Sequence, residues 1–101
     1  MRFEIRWKTG LAPALVAVTR ERLTIGLARV SHRLGKVVLW REMRTEAGRM
    51  ALHWVVRVEV EGGPQLIISA PDPGDDLEAA AHTGDRIARA VERSLALQET
   101  R

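Results

Sequence analysis

Residues 76–95, DLEAAAHTGDRIARAVERSL, carry the pattern that decides the fold. Apolar or small side chains recur along them every three or four residues: Leu77, Ala81, Gly84, Ala88, Val91 and Leu95. That spacing places them on one face of an α-helix. A neighbouring face carries a basic row: His82, Arg86, Arg89 and Arg93. Asp75, followed three residues later by Glu78, predicts where the helix begins, and the helix is expected to end near Leu97.

A second helix of the same design is predicted earlier in the chain. It begins at Pro13, which suits a first helical turn, and is expected to run to about Leu34, with Gly35 as its C-terminal stop. Its apolar face comprises Val16, Leu23, Leu27, Val30 and Leu34. Its basic row comprises Arg22, Arg29 and Arg33. At about 100° per residue, each basic row spans a sector of about 60° or less, so both rows should face outward once the apolar faces are packed.

The remaining segments alternate in the manner of β-strands. Strands are predicted over residues 2–8, 36–42, 50–60 and 65–70, with a polar connection over residues 43–49. In the order β-α-β-β-β-α, the first helix crosses over between parallel strands and the other strands form a meander. We therefore expect residues 1–101 to form a single α+β domain. Its architecture is a two-layer sandwich, a four-stranded sheet with two helices on one face.

The composition indicates a folded domain with a basic first half. Hydrophobic residues make up 46% of the chain and charged residues 29%, an ordinary globular balance. Residues 1–50 hold eleven Lys/Arg against four Asp/Glu, a balance of +7, whereas residues 51–101 hold five against nine, a balance of −4. Of the 16 basic residues 14 are arginine, whose planar fork of donors suits bidentate contacts with phosphate. The expected partner is a polyanion.

The sequence offers little for catalysis or for a cofactor. It has no cysteine, which excludes disulfides and thiolate metal sites. His32, His53 and His82 fall on different predicted elements, and no zinc-protease, nucleophile-elbow, phosphate-loop or dinucleotide motif occurs. We expect no enzymatic activity, no cofactor, no metal and no small-molecule substrate. Because no apolar run is long enough to span a membrane and residues 1–8 do not resemble a secretory signal, we expect a cytoplasmic protein with no membrane partner.

The tryptophans Trp7, Trp40 and Trp54 admit a functional and a structural interpretation. They could stack on nucleobases. All three lie in predicted strands, however, and apolar strand faces bury large aromatic side chains by default. Packing in the core is therefore the favoured interpretation.

The basic rows also admit an ordinary structural explanation. In the second helix, Asp85 could pair with Arg89, and Glu92 with Arg89 or Arg93, which would leave a solvated helix face. In the region of the first helix the charge is more one-sided. Glu21 is the one acidic residue beside five basic residues: Arg20, Arg22, Arg29, Arg33 and Lys36. That balance of +4 favours binding to a phosphate backbone.

The order of elements and the arginine-rich helices resemble the ribosome hibernation-promoting factors and ribosome-associated inhibitors. Residues 14–34, ALVAVTRERLTIGLARVSHRL, are similar to the first helix of that family, and residues 76–95 to its second. In the family the second helix reads as an acidic start, an alanine-rich turn, Asp-Arg/Lys-Leu/Ile and spaced basic residues. The resemblance covers nearly the whole chain in element order, and it implies a fold like that of double-stranded RNA-binding domains.

The resemblance implies a non-enzymatic inhibitor of translation that acts under stress. Members of the family bind the small ribosomal subunit and its rRNA, in the channel where mRNA and tRNA would sit, through basic residues on the helices. The RNA-binding candidates carried over by position are Arg22, Arg29, Arg33, Lys36, Arg86, Arg89 and Arg93. No cofactor is implied.

The chain departs from the family pattern in several places, and an alternative function stays open. Glu78 stands where an aromatic residue is common, His82 stands at an acidic position, and residues 43–49 do not match the family's connection. A short form without a dimer-forming domain is implied. The alternative is a protein-interaction module of the same fold, which recruits a protein partner without RNA through an edge strand or an exposed sheet face. That face would carry Arg6, His53, Arg57 and Glu59.

Overall fold

The computed structural model describes residues 4–99, which fold in the order β-α-β-β-β-α. The strands are β1 (Glu4–Trp7), β2 (Leu34–Glu46), β3 (Arg49–Val60) and β4 (Leu66–Pro71). The helices are α1 (Pro13–Gly26) and α2 (Leu77–Glu99), and a 3₁₀ helix (Ala28–Arg33) follows α1. The predicted α+β architecture is confirmed within this range. Arg2 and Phe3, which the alternation assigns to the first strand, lie outside the described residues.

Within residues 4–99 the strands form a mixed sheet in the order β1-β2-β3-β4. β1 runs parallel to β2, with Ile5 opposite Val37, so α1 and the 3₁₀ helix provide the crossover. β2 and β3 are antiparallel, with Leu39 opposite Val56. β3 and β4 are also antiparallel, with Val56 opposite Ile68. The predicted crossover and meander are both confirmed.

Both helices cover the same face of the sheet, and the core lies between the two layers. The strand side chains that point toward the helices are fully buried: Val37, Leu39, Trp54, Val56 and Val58. They belong to the same core as buried side chains of the helices: Leu15, Leu23, Ala80, Ile87, Ala88, Val91 and Leu95. Trp7 and Trp54 pack edge to face with ring centroids 5.0 Å apart, so these two tryptophans lie in the core as predicted.

The first helix is shorter than predicted. α1 ends at Gly26 rather than near Leu34, and Ala28–Arg33 continues as a 3₁₀ helix. A 3₁₀ helix has about 3.0 residues per turn and an α-helix about 3.6. Over so short a segment, the two produce nearly the same spacing of apolar residues. Val30 therefore fits either helix, and the sequence pattern could not distinguish them.

Most of the predicted apolar helix positions are buried, among them Leu23, Leu27, Leu34, Ala88, Val91 and Leu95, but each buried face also includes positions that the pattern did not assign. In α1 the buried positions are Leu15, Thr19 and Leu23, and the hydroxyl of Thr19 donates to the carbonyl of Leu15 at 2.7 Å. In α2, Ile87 is buried, whereas Leu77 is 49% exposed. The prediction assigned Leu77 to the apolar face, but the buried face of α2 begins at Ala80.

Gly35 does not end a helix. β2 already begins at Leu34, and the register shifts between Leu34 and Val37, so Gly35 and Lys36 form a bulge. A Cβ at Gly35 would lie 2.9 Å from Oε1 of Glu59. The glycine therefore leaves room for the Glu59 carboxylate, which accepts a hydrogen bond from the backbone N–H of Lys36 at 3.1 Å.

The predicted polar connection over residues 43–49 is wrong. β2 continues to Glu46 and β3 begins at Arg49, so a two-residue turn, Ala47-Gly48, joins them. Both turn residues have positive φ angles, 52° and 77°, as a type I′ hairpin turn requires. The polar residues before the turn are strand residues because they pair across the hairpin, an interaction that alternation within one segment does not reveal.

The second helix begins at Leu77 and is capped by Asp76 rather than by Asp75. Oδ1 of Asp76 accepts a hydrogen bond from the backbone N–H of Ala79 at 3.1 Å, which is the contact expected of an N-cap residue. Because the helix begins at Leu77, the second of the two consecutive aspartates takes this role. Neither α1 nor α2, as described over residues 4–99, is apolar enough along its length to serve as a membrane span.

Candidate nucleic-acid interface

The two helices run in the same direction and approach closely at two glycines. A Cβ on Gly26 would lie 2.5 Å from the Cβ of Ala88, and a Cβ on Gly84 would lie 3.0 Å from the Cβ of Arg22. In both contacts the residue of α2 is 62 positions after its partner in α1 (88 minus 26, 84 minus 22). The constant offset shows that α1 and α2 are parallel. Side chains that flank these contacts are therefore close enough to bind one another.

Arg22 of α1 forms a bidentate ion pair with Asp85 of α2. Its Nε donates to Oδ1 at 2.9 Å and its Nη2 donates to Oδ2 at 2.8 Å. The hydrogen bond from Arg22 lowers the pKa of Asp85, and the carboxylate in turn raises the pKa of Arg22. The close helix contact therefore directs Arg22 toward a carboxylate of the neighbouring helix, although its side chain stays 40% exposed. Its predicted contact with RNA stays a prediction.

A second ion pair joins Arg29, seven residues after Arg22, to Glu92, seven residues after Asp85. Nη2 of Arg29 donates to Oε2 of Glu92 at 3.1 Å, while the Arg29 side chain is 86% exposed. An exposed pair with a single contact stabilises a fold only weakly. The local pairs that could explain the basic row, Asp85 with Arg89 and Glu92 with Arg89 or Arg93, are not among the ion pairs within 4.0 Å in the described part of the chain. Both carboxylates instead reach across to the first helical segment.

Arginines from both helical segments surround Glu92. An open depression of about 420 Å³ is lined by Arg29, Arg89, Glu92, Arg93 and Ala96. An adjoining depression of about 340 Å³ is lined by Arg29, Val30, Arg33, Glu92, Leu95 and Ala96. We call this surface the arginine groove and define it by its charged residues: Arg29, Arg33, Arg89, Arg93 and Glu92. Four arginines and one glutamate give it a formal charge of +3.

The structure separates the other candidates from the groove. Arg22 is held by Asp85, and Arg86 is exposed on α2 without lining either depression. Lys36 lies on β2 opposite Glu4 and next to the buried Val37, so strand alternation places it on the face of the sheet away from the helices. Grouping Lys36 with the arginines of the first helix is therefore wrong. The grouping was made by charge along the sequence, and a contact between Lys36 and RNA stays a prediction.

Glu92 is the residue of the groove that the sequence interpretation did not select. It was considered only as a local partner for neighbouring arginines. One signal could have placed it: Arg22 and Arg29 are seven residues apart, and so are Asp85 and Glu92. Seven residues are about two helical turns, so matched spacings of opposite charge indicate that two helical segments pair at both levels.

The opposite face of the sheet is less polar than predicted. Val38, His53 and Val55 lie on this open face by alternation, yet they are only 5%, 5% and 1% exposed. The prediction that His53 is an exposed surface residue is therefore wrong. Its Nδ1 lies 3.1 Å from the carbonyl oxygen of Ala51 and its Nε2 lies 2.9 Å from Oε2 of Glu46. The hairpin brings Glu46 alongside, so the imidazole is covered by its own strand pair.

Trp40 is also on the open face, so its predicted burial in the core is wrong. It follows the buried Leu39 in β2, so its side chain points to the opposite face of the sheet, where it is half-buried. Nζ of Lys8 lies 5.6 Å from the centroid of its ring, within the range of a cation–π contact. Its indole Nε1 donates to Glu42 at 3.1 Å, and that hydrogen bond, with a second from Arg44, lowers the pKa of Glu42.

The acidic segment before α2 is held by an ion pair. Asp72 accepts hydrogen bonds from Nε and Nη2 of Arg41 at 3.0 and 3.1 Å, and from the N–H of Gly74 at 3.0 Å. Burial alone would raise the pKa of Asp72, but the hydrogen bonds from Arg41 and Gly74 outweigh it and leave that pKa below its ordinary value. Within residues 4–99, no group of three or more His, Asp and Glu side chains is arranged to hold a metal ion.

No family model matches the sequence, and a search of curated proteins finds no significant match. Among solved structures, a ribosomal subunit interface protein from Coxiella burnetii matches with a TM-score of 0.63 at 15% sequence identity, covering 100% of both chains. The chain shares the fold of that protein. The N-terminal domain of Protein Y from Thermus thermophilus matches with a TM-score of 0.43 at 23% identity, over 92% of this chain and 98% of that one.

The resemblance in element order is thus confirmed as a likeness of fold. It extends through α2, which supplies Arg89, Glu92 and Arg93 of the arginine groove. The further likeness to double-stranded RNA-binding domains stays a prediction.

Proposed function

We propose that the protein associates with the ribosome and inhibits translation by binding small-subunit rRNA in the channel for mRNA and tRNA. The fold that it shares with a ribosomal subunit interface protein supports a ribosomal partner. The arginine groove supplies a surface suited to RNA. In this proposal the protein acts in the cytoplasm, under stress, as a non-enzymatic factor that needs no cofactor.

The observation that carries the proposal is the convergence of Arg29, Arg89 and Arg93 on one open depression. Guanidinium groups bind phosphodiester oxygens with a fixed fork of donors. The helices beneath them are held together by the Gly26 contact and by the Arg22–Asp85 pair. The arginines therefore project from a rigid base, which reduces the entropy lost when RNA binds.

Paired substitutions test whether the groove binds ribosomes. Replacing Arg89 and Arg93 together by alanine should weaken co-sedimentation with the small subunit about tenfold or more at low salt, because two guanidinium groups no longer bind phosphates. Replacing Arg20 and Arg49 by alanine removes the same charge from exposed positions elsewhere. Arg20 lies roughly 160° around α1 from Arg22, so this control should bind nearly as well as the unaltered protein. Arg22 stays unchanged because its loss would loosen the helix pair.

The salt dependence of ribosome binding distinguishes direct phosphate binding from a general charge effect. The plot of log affinity against log salt concentration should become shallower by about 0.7 for each phosphate that the variant no longer binds. Equal weakening in both double variants would mean that only net charge matters. Undiminished co-sedimentation of the Arg89 and Arg93 variant would exclude the arginine groove as the contact surface.

The second candidate, a protein-interaction module, is favoured by one observation on the other side of the sheet. β4 is an edge strand of the described sheet, and Ile67 on its open face is 51% exposed. An exposed edge can accept a strand from a partner protein. A pull-down with and without nuclease separates the two functions. Capture that survives nuclease and is lost on replacing Ile67 by lysine would favour the protein partner.

A further inference from the structure

We infer that Glu92 competes with RNA phosphate for Arg29 and so sets how tightly the arginine groove binds its ligand. The inference rests on the proposed function, since it takes an RNA backbone to be the ligand of the groove. It assigns Glu92 the role of an internal competitor, whose carboxylate occupies the position that a phosphate oxygen would take.

The geometry of the Arg29–Glu92 pair makes it easy to displace. The two side chains share a single hydrogen bond of 3.1 Å, and Arg29 is 86% exposed. By contrast, the Arg22–Asp85 pair has two hydrogen bonds, and its side chains are 40% and 26% exposed. A ligand anion can therefore reach Arg29 from solvent. Arg22, in contrast, stays bound to Asp85 through two hydrogen bonds.

The position of Glu92 places its carboxylate beside Arg29 throughout the groove. Glu92 lines both depressions of the groove, and Arg29 lines both with it. A phosphate that approaches Arg29 from the groove comes close to the carboxylate of Glu92, and the two negative charges repel each other. A phosphate in the groove therefore competes with Glu92 for the donors of Arg29. Neutralising Glu92 would raise the formal charge of the groove from +3 to +4.

A matched pair of glutamine substitutions tests the inference with a 12-nucleotide single-stranded RNA as the probe. Glu92→Gln should tighten binding about two- to fivefold and steepen the salt slope by about 0.7, since Arg29 becomes available to one more phosphate. Glu78→Gln makes the same change of net charge on the same helix, at an exposed position roughly 21 Å away along the axis. It should change affinity by less than about 1.5-fold.

A double-mutant cycle isolates the competition itself. Arg29→Ala should weaken RNA binding only about twofold in the unaltered protein, because Glu92 occupies that guanidinium. In the Glu92→Gln background the same change should weaken binding about fivefold, because Arg29 then serves the RNA. Thermal unfolding of each variant checks that the fold is kept. We expect it to be kept, because the Arg29–Glu92 pair is exposed and has a single contact.

Three outcomes would overturn the inference. Equal gains in Glu92→Gln and Glu78→Gln would show a general charge effect. Weaker binding by Glu92→Gln would show that Glu92 contacts the RNA as an acceptor, and no binding of the oligonucleotide by any variant would show that the groove is not a phosphate site. Ribosome co-sedimentation reports separately on the proposed function, so oligonucleotide binding without ribosome binding would reject that function and leave the role of Glu92 intact.

Discussion

Ala47 adopts a backbone conformation that alanine disfavours. Its φ angle is 52°, in the left-handed region, and it is followed by Gly48 at 77°. Ala47 and Gly48 form the two-residue turn between β2 and β3. The turn sets the register of the hairpin, in which Glu46 lies opposite Arg49 and Val37 lies opposite Val58. Left-handed backbone costs a residue with a Cβ about 1–2 kcal/mol, and Asn-Gly is the pair that type I′ turns favour. The hairpin therefore holds its shape against a local preference.

We expect Ala47→Asn to stabilise the protein. Asparagine tolerates the left-handed region, so the free energy of unfolding in urea should rise by about 0.5–1 kcal/mol. Gly48→Ala, which adds a Cβ at a positive φ in the same turn, should lower it by about 1 kcal/mol. A lower free energy of unfolding for Ala47→Asn would contradict the type I′ assignment.

The contact between α1 and α2 depends on the absence of a side chain at Gly26. A Cβ at that position would lie 2.5 Å from the Cβ of Ala88, far inside van der Waals contact. The same approach brings Arg22 to Asp85 and Arg29 to Glu92. The charges of the arginine groove are thus arranged by a steric feature of the helix pair.

We expect Gly26→Ala to lower the free energy of unfolding by about 2 kcal/mol, because the helices must separate to admit the methyl group. Ala88→Gly alone should cost about 1 kcal/mol through helix propensity. Combined with Gly26→Ala, however, it should restore part of the stability by removing the clash. Gly10→Ala is the control, since a Cβ there meets nothing within 4 Å. Strictly additive losses in the double variant would contradict a direct contact.

At the scale of the whole molecule, two bidentate ion pairs within residues 4–99 join elements that are distant in sequence. Arg22–Asp85 joins α1 to α2, and Arg41–Asp72 joins β2 to the segment after β4. The pKa of Asp85 is lowered, chiefly by the hydrogen bond from Arg22. The pKa of Asp72 is lowered because hydrogen bonds from Arg41 and Gly74 outweigh its burial. Both carboxylates therefore bind protons less readily in the folded chain than in the unfolded one.

Stability should consequently fall on acidification. A carboxylate whose folded pKa is lowered contributes stability above its unfolded pKa, about 3.9 for Asp, and that contribution is lost as pH falls through the lower folded value. Urea unfolding between pH 7 and 2.5 should show a loss that begins below about pH 4. Asp85→Asn should be less stable at pH 7 and should lose less on acidification.

Glu61→Gln, at an exposed turn position, is the control for this pH series. It should follow the unaltered protein throughout. If Asp85→Asn kept the full acid sensitivity of the unaltered protein, the Arg22–Asp85 pair would not contribute to the pH dependence.

Much of the fold follows from patterns confined to one segment of chain. The repeat of three and four residues in α2 and the alternation in β3 predicted the element order, the crossover and the two layers, since those periodicities depend only on local geometry. The same local patterns could not distinguish a 3₁₀ helix from an α-helix at Val30. Nor could they show that residues 43–46 pair across a hairpin.

The sequence by itself determined an α+β domain with arginines on two amphipathic helical segments, and Arg29, Arg33, Arg89 and Arg93 do meet in one groove. Only the tertiary structure decided that Arg22 is held by Asp85, that Glu92 lies among the arginines, and that Lys36 faces the other way. The physical reason is that helical periodicity specifies which side of a helix a charge occupies. Which opposite charge it meets depends on how far one helix is shifted along the other, and the close approach of Gly26 to Ala88 sets that shift.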